Sequence, residues 1–277
     1  MHKHTRIVLF AGIGTILVLG LVFLFFLRSE GPSKALLESP LLSELLPEPE
    51  VPVLHTYLEI IDSCGPDFEG TCVNLRSAPT STAPAIAKLR TGMVLPAAAE
   101  TETDSTGRVW YKIEFTEWIR YPDRVARDWY VAAEFVRVFE STGPEDLEGA
   151  TTTSKRILID RSEQKLYAYD GDELFMEASI SSGLDLTPTP RGTFTIYRKT
   201  PSRYMQGPLP GISDQYYDLP GVPWNLYFTK EGGAIHGAYW HAQFGKQWSH
   251  GCVNLPLDTA KELYEWASLG TTVVVRN

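Results

Sequence analysis

The residues of this chain best equipped for chemistry lie near its C-terminus. They are Ala234-Ile235-His236-Gly237 and, after a loop, Ser249-His250-Gly251-Cys252-Val253-Asn254. His236, His250 and Cys252 fall within 17 residues, in a chain with six histidines and three cysteines. A thiol is a strong nucleophile only as a thiolate, and an adjacent imidazole can lower its pKa from about 8.5 by several units. Gly251, directly before Cys252, allows a tight turn and a close approach by a substrate backbone. Nucleophilic acyl transfer through Cys252 is therefore one reading. Two others stand beside it: a zinc site using Cys252, His250 and His236 or His241, and a buried, inert Cys-His cluster. Zinc is the weaker, because a stable structural site takes four ligands and usually paired cysteines.

The chain's address narrows these choices. Residues 1–6 are polar and basic, and Ile7 to Leu27 follows as a run of 21 residues in which Thr15 is the clear polar exception. About 20 apolar residues cross a bilayer as a helix. A cleaved signal peptide would have a shorter apolar run and a small-x-small site, whereas Leu27-Arg28-Ser29-Glu30 is a poor one. Lys3 and Arg6 precede the run and Arg28 follows it, which puts the N-terminus in the cytoplasm and the rest outside. The expected protein is thus a single-pass membrane protein facing the cell wall or periplasm. Cys64 and Cys72, eight positions apart, can close a small disulfide loop in such an oxidising compartment, which leaves Cys252 as an odd thiol. A formal net charge of −9 argues against nucleic acid as a partner. Apolar content of 43% and charged content of 21% describe an ordinary globular chain.

Five prolines between Pro32 and Pro52 make residues 29–52 a semi-stiff stalk, following the cytoplasmic tip and anchor at 1–28. Short β-like runs then recur over 53–140: Tyr57–Ile61, Val73–Arg76, Ala85–Leu89, Val109–Phe115 and Trp129–Val138. With turn formers between them they predict a small β-barrel. A polar stretch at 141–154 reads as a linker. Over 155–277, strands are predicted at Arg156–Asp160, Lys165–Tyr169, Leu174–Ser179, Thr193–Tyr197 and Thr271–Arg276, with Asp170-Gly171 as a hairpin turn. Ala260, Leu263, Tyr264 and Ala267 repeat at helical spacing within a helix from about Leu257 to Ser268. The fold class is mainly β with one or two helices. A stretch between Lys199 and Lys230, rich in Pro, Gly and aromatics, reads as an irregular lid over the cysteine. Arg191, Arg198, Lys199 and Arg203 form a local positive cluster, either a hold for carboxylates or a solvated strand face.

Two resemblances sharpen this. His236, 16 positions before Cys252, together with Ser-His-Gly-Cys-Val-Asn, resembles the signature of the L,D-transpeptidase catalytic domain of the YkuD type. Thr189-Pro190-Arg191-Gly192-Thr193-Phe194 is similar to that family's T-P-x-G-T-F segment, and the likeness covers about 155–277. Residues 53–140 resemble the bacterial SH3-like domains of cell-wall proteins, through the N-x-R-x-x-P segment from Asn74 to Pro79 and the late Trp129-Tyr130-Val131. An insertion at 116–127 departs from that pattern.

The first resemblance implies a β-sandwich or barrel catalytic domain that forms 3→3 crosslinks in peptidoglycan, with stem peptides as partners and no cofactor or metal. It implies that Cys252 is the nucleophile, that His236 handles the proton with Gly237 orienting its ring, and that N–H groups of His250, Gly251 and Cys252 form the oxyanion hole. Ser249, Asn254, Arg191 and Tyr239 are expected to bind the substrate, although many members carry Arg where Asn254 stands. The alternatives are an L,D-carboxypeptidase on the same site and a non-enzymatic wall-binding protein.

Overall fold

A computed structural model describes residues 52–149, 151, 153–211 and 214–277, and Pro52–Asn277 forms one compact unit. The predicted span and stalk lie outside the described residues. Among the described residues, no helix is long and apolar enough to cross a membrane.

The first module is a seven-stranded antiparallel sheet. Its strands are β1 (His55–Ile60), β2 (Val73–Arg76), β3 (Ala85–Leu89), β4 (Val94–Thr103), β5 (Val109–Ile113), β6 (Trp129–Ala132) and β7 (Val136–Ser141), in the order β3-β2-β6-β5-β4-β1-β7. Alternating residues such as Leu58, Ile60, Leu75, Leu89, Leu95 and Val131 fill its core. Two departures from the sequence reading stand out. The single run expected at Trp129–Val138 is broken by a short helical turn at Ala133–Phe135, so β6 pairs with β5 while β7 crosses to the far edge beside β1. The sequence pattern also hides β4, whose Val-Leu-Pro-Ala-Ala-Ala-Glu-Thr-Glu-Thr has little β character of its own. It is held as a strand by β1 on one side and β5 on the other.

The disulfide between Cys64 and Cys72 is formed, with Cα atoms 4.4 Å apart. Closing so short a loop in the unfolded chain is worth roughly 2–3 kcal/mol. Urea unfolding of a Cys64→Ser, Cys72→Ser double variant is expected to show a loss of about that size, and an unchanged midpoint would contradict it.

The second module opens with β8 (Glu145–Asp146), which lies inside the stretch read as a linker and adds an edge to its sheet. Next come β9 (Lys155–Asp160), β10 (Lys165–Asp170), β11 (Glu173–Ser179), β12 (Gly192–Thr195), β13 (Arg198–Gln206), β14 (Asp218–Tyr227), β15 (Ala234–Gly237) and β16 (Val253–Leu255). The helix α1 (Leu257–Trp266) and the strand β17 (Thr272–Arg276) complete it. Two five-stranded sheets, β11-β10-β9-β17-β12 and β16-β15-β14-β13-β8, enclose one core. Ile157, Ile159, Leu166 and Val273 meet Leu226, Ile235 and Val253 there, with Ala260 and Leu263 of α1.

The stretch read as an irregular lid carries the long β13–β14 hairpin, with Tyr204, Trp224 and Tyr227 buried as packing residues. Residues of the stretch, among them Met205, Gln215 and Tyr217, line a cleft together with Cys252. Tyr204 and Val222 sit in the first module's core, Tyr57 and Val94 in the second's, and Ser202 donates to the Val94 carbonyl at 2.5 Å. The positive cluster is also largely paired. Arg198 bonds Asp146, Arg203 bonds Glu117, and Lys199 donates to the carbonyls of Tyr264 and Ala267 at 2.9 and 2.6 Å.

Candidate active site

The site is built on the parallel pair β15 and β16, where His236 and Asn254 are register partners. Cys252 stands one residue before β16. As partners in a parallel pair, His236 and Asn254 project to the same side of the sheet. All three line one cleft of about 1380 Å³.

Hydrogen bonds with the chain after β11 shape the loop that presents Cys252. Ser181 and Asn254 exchange backbone bonds at 3.0 and 2.9 Å, and the N–H groups of Trp248 and Ser249 both donate to the Ser182 carbonyl at 3.0 Å. Gln164 clasps Ser182, donating to its hydroxyl at 2.7 Å and accepting its N–H at 2.9 Å. Buried Thr189 accepts the Gly183 N–H at 2.9 Å. Ser181, Ser182 and Gln164 escaped the sequence reading, which looked for reactive types, not for polar residues that brace a loop. Gly251 has φ +114°, a conformation that side chains rarely adopt, so the turn into Cys252 requires glycine.

His236 is 1% exposed, and its Nδ1 lies 3.0 Å from the Gly237 carbonyl. A carbonyl can only accept, so Nδ1 carries the proton and Nε2 is left as a proton acceptor. Burial pushes the imidazole's pKa down to about 4. Gly237 must be small for this, since a Cβ there would lie 3.0 Å from Pro223 and 3.3 Å from Ala260. Cys252 is half-buried, its sulfur 3.9 Å from the Gly232 carbonyl, and desolvation raises its pKa despite the N–H of Ala234. Burial disfavours both charged forms, which favours neutral thiol and neutral imidazole as the resting pair. Alkylation of Cys252 by iodoacetamide should consequently rise with pH through a midpoint above roughly 8.5, the ordinary thiol value. A fast plateau persisting to pH 5 would reveal a thiolate–imidazolium pair and contradict this.

The other expected site residues divide. His250 lines the cleft but turns towards the hairpin, with Nε2 against Gln215 Oε1 and its ring stacked on Tyr217 at 6.1 Å. Ser249 is occupied within its own loop, donating to the Cys252 carbonyl and accepting the Gly251 N–H at 3.2 Å. Asn254 has its side-chain amide 2.8 Å from His241 Nε2, and His241 Nδ1 accepts the Gln243 N–H at 3.0 Å. His241 is thereby a packing partner of Asn254. Among the described residues, no group of three or more His, Cys, Asp or Glu is placed to hold a metal ion.

Two expected substrate-binding residues are not brought to the cleft. Arg191 is exposed on the surface outside the lining. Tyr239 is 1% exposed, donates to the Pro220 carbonyl at 2.7 Å and lies under the Arg90 guanidinium at 4.7 Å, in the first module's core. A side chain so enclosed cannot touch a substrate. The sequence reading missed Trp240, whose ring stands 5.7 Å from that of His236. Tyr217, part of the aromatic stretch read as a lid, has its pKa pushed up to about 12 by burial first and by the nearby Cys252 second.

Comparison with known proteins places this geometry. Residues 154–275 match the family model of the L,D-transpeptidase catalytic domain, YkuD. A Bacillus licheniformis protein named as an L,D-transpeptidase, YkuD, is 28% identical over 127 residues, 45% of this chain and 67% of its own length. Among solved structures, an L,D-transpeptidase from Mycobacterium smegmatis is 22% identical with TM-score 0.42, over 66% of this chain and 90% of that one. The catalytic domain of the Enterococcus faecium L,D-transpeptidase is 27% identical with TM-score 0.40, over 46% of this chain and all of that one.

Proposed function

Because residues 154–275 match the family model of the L,D-transpeptidase catalytic domain, we propose that this chain joins peptidoglycan stems by acyl transfer through Cys252. The observation that carries the proposal is the pairing of Cys252 with His236 in one cleft, the imidazole's Nδ1 pinned by Gly237 and its Nε2 left to accept a proton. As His236 takes the thiol proton, the sulfur attacks the carbonyl carbon of the third residue of a tetrapeptide stem. The tetrahedral oxyanion collapses, the C–N bond to the terminal D-alanine breaks, and the imidazolium returns its proton to the departing amine. The amine of a second stem then attacks the thioester, gives its proton to His236 and releases the Cys252 thiol. The product is a 3→3 crosslink.

The Gly251 N–H is engaged by Ser249 Oγ at 3.2 Å, which favours the N–H groups of His250 and Cys252 as the oxyanion hole. Neutral resting partners suit this mechanism, since the charge pair forms only as the bond to carbon forms. The rest of the reading extends the same idea: an N-terminal anchor, a catalytic unit on the extracytoplasmic side, a first module of the SH3-like kind that holds the enzyme on the wall, and a role in wall biogenesis and cell shape.

Mass analysis of products from a purified tetrapeptide muropeptide tests the proposal. A dimer that has lost one D-alanine is expected from the intact chain and not from Cys252→Ala. A tripeptide monomer alone would mean L,D-carboxypeptidase action, and unchanged substrate in both samples would favour a non-enzymatic wall-binding protein.

A further inference from the structure

One wall of the cleft comes from the first module. Thr116, Glu117, Trp118 and Arg120, in the connection between β5 and β6, line the cleft that holds Cys252. Trp118 is 63% exposed at its lip, with the Arg120 guanidinium 5.1 Å from its ring.

This connection also grips the β13–β14 hairpin at residues more than eighty positions away. Glu117 pairs with Arg203 and accepts the Tyr204 N–H at 2.7 Å. Tyr121 donates its N–H to Gln206 Oε1 at 2.9 Å and its hydroxyl to the Pro208 carbonyl at 2.8 Å. Arg124 reaches three acceptors: the Gly207 carbonyl at 2.8 Å, the Tyr217 carbonyl at 3.1 Å and Asp218 Oδ1 at 3.1 Å. Its guanidinium also lies 4.3 Å from the Tyr121 ring and 4.4 Å from the Tyr216 ring. The gripped residues continue to the reactive loop, because Gln215 and Tyr217 are the partners of His250, two positions before Cys252.

We infer that residues 116–127 are a positioning arm for the cleft, with Arg124 as its fastening residue: the arm holds Gln215 and Tyr217 against His250 and so sets how a stem peptide lies over Cys252. The substrate named here rests on the proposed function, whereas the fastening does not. A planar guanidinium can serve three divergent acceptors at once, and a lysine ammonium matches that fork poorly. The arm is also what makes the first module part of the active site, beyond any hold it has on the wall.

The test uses the full chain with Arg124→Ala and Arg124→Lys. In the alanine variant, KM for a tetrapeptide donor is expected to rise roughly tenfold or more while kcat moves less than about threefold. The lysine variant should fall between. Alkylation of Cys252 by iodoacetamide, which needs no positioned peptide, should stay within about twofold. Unchanged KM would overturn the inference, and so would parallel losses of turnover and alkylation, which mark general damage to the fold. Amide exchange supplies a readout independent of substrate. The Gly207 N–H bonds the same Tyr217 carbonyl that Arg124 holds, at 2.9 Å, and its exchange should accelerate in Arg124→Ala while β9 and β10 stay protected. If even the intact chain leaves the donor untouched, the proposed reaction fails. Local acceleration at Gly207 would then still support the fastening, and its absence would overturn it.

Discussion

Cys252→Ala is expected to reduce crosslinking of a tetrapeptide donor to background, a loss on the order of 10⁶-fold, of the size seen when a covalent nucleophile is removed from a hydrolase. The proposed reaction runs through a bond between sulfur and the stem carbonyl, and Cys252 is the free cysteine of the described chain, its two companions being joined in a disulfide. The methyl group of alanine cannot form that bond, and the N–H groups around it can only polarise a carbonyl for a water that nothing positions. The fold should survive, because replacing a half-buried sulfur by a smaller apolar side chain leaves no charge unpaired and removes only weak sulfur hydrogen bonds, to the Gly232 carbonyl at 3.9 Å and from the Ala234 N–H. The check is twofold: product analysis for turnover and intact-mass analysis for a covalent stem adduct. Residual turnover of more than about one part in a thousand would show that another group attacks the stem.

His236→Gln is expected to slow acylation of Cys252 by roughly 10²–10⁴-fold, the usual contribution of a positioned general base. Glutamine can still donate to the Gly237 carbonyl, so the buried hydrogen bond at 3.0 Å has a substitute and the melting temperature should change little. Glutamine cannot accept a proton at neutral pH. The two reactions of the thiol should therefore separate: stem acylation collapses while iodoacetamide alkylation, limited by the thiolate population, remains within a few-fold. If both fall together, His236 sustains a resting thiolate and the neutral-pair reading is wrong.

The sign of the pH dependence follows from the same burial. With its pKa pushed down to about 4, the folded imidazole is neutral and able to accept a proton at any higher pH, so the acid limb of acylation belongs near pH 4 and not near 6.5. Stability runs the same way: unfolded histidine binds its proton first as pH falls, so the folded state loses ground between about 6.5 and 4. His250→Gln should cost far less, because His250 faces Gln215 and Tyr217 and not the thiol's proton.

The sequence by itself pointed to the proposed chemistry and to much of the local structure. Ser-His-Gly-Cys preceded by His236 suggests a nucleophile and its base through its resemblance to the L,D-transpeptidase signature, and the β10–β11 hairpin and α1 are written in turn chemistry and helical spacing. These signals are local, carried by neighbours within one turn or one strand. Tertiary structure decided the rest, because the deciding partners are remote in the chain. Only the parallel pairing of β15 with β16 brings His236 and Cys252 into one cleft, and only burial in the folded core favours the neutral form of each. Tyr239 looked available for substrate, yet the first module covers it. The Pro-rich and aromatic stretch that read as a lid became two strands because β15, β8 and the first module's core supply its hydrogen bonds and packing. The arm at 116–127 showed in the sequence only as an insertion, since its meaning lies in acceptors on a hairpin more than eighty residues away.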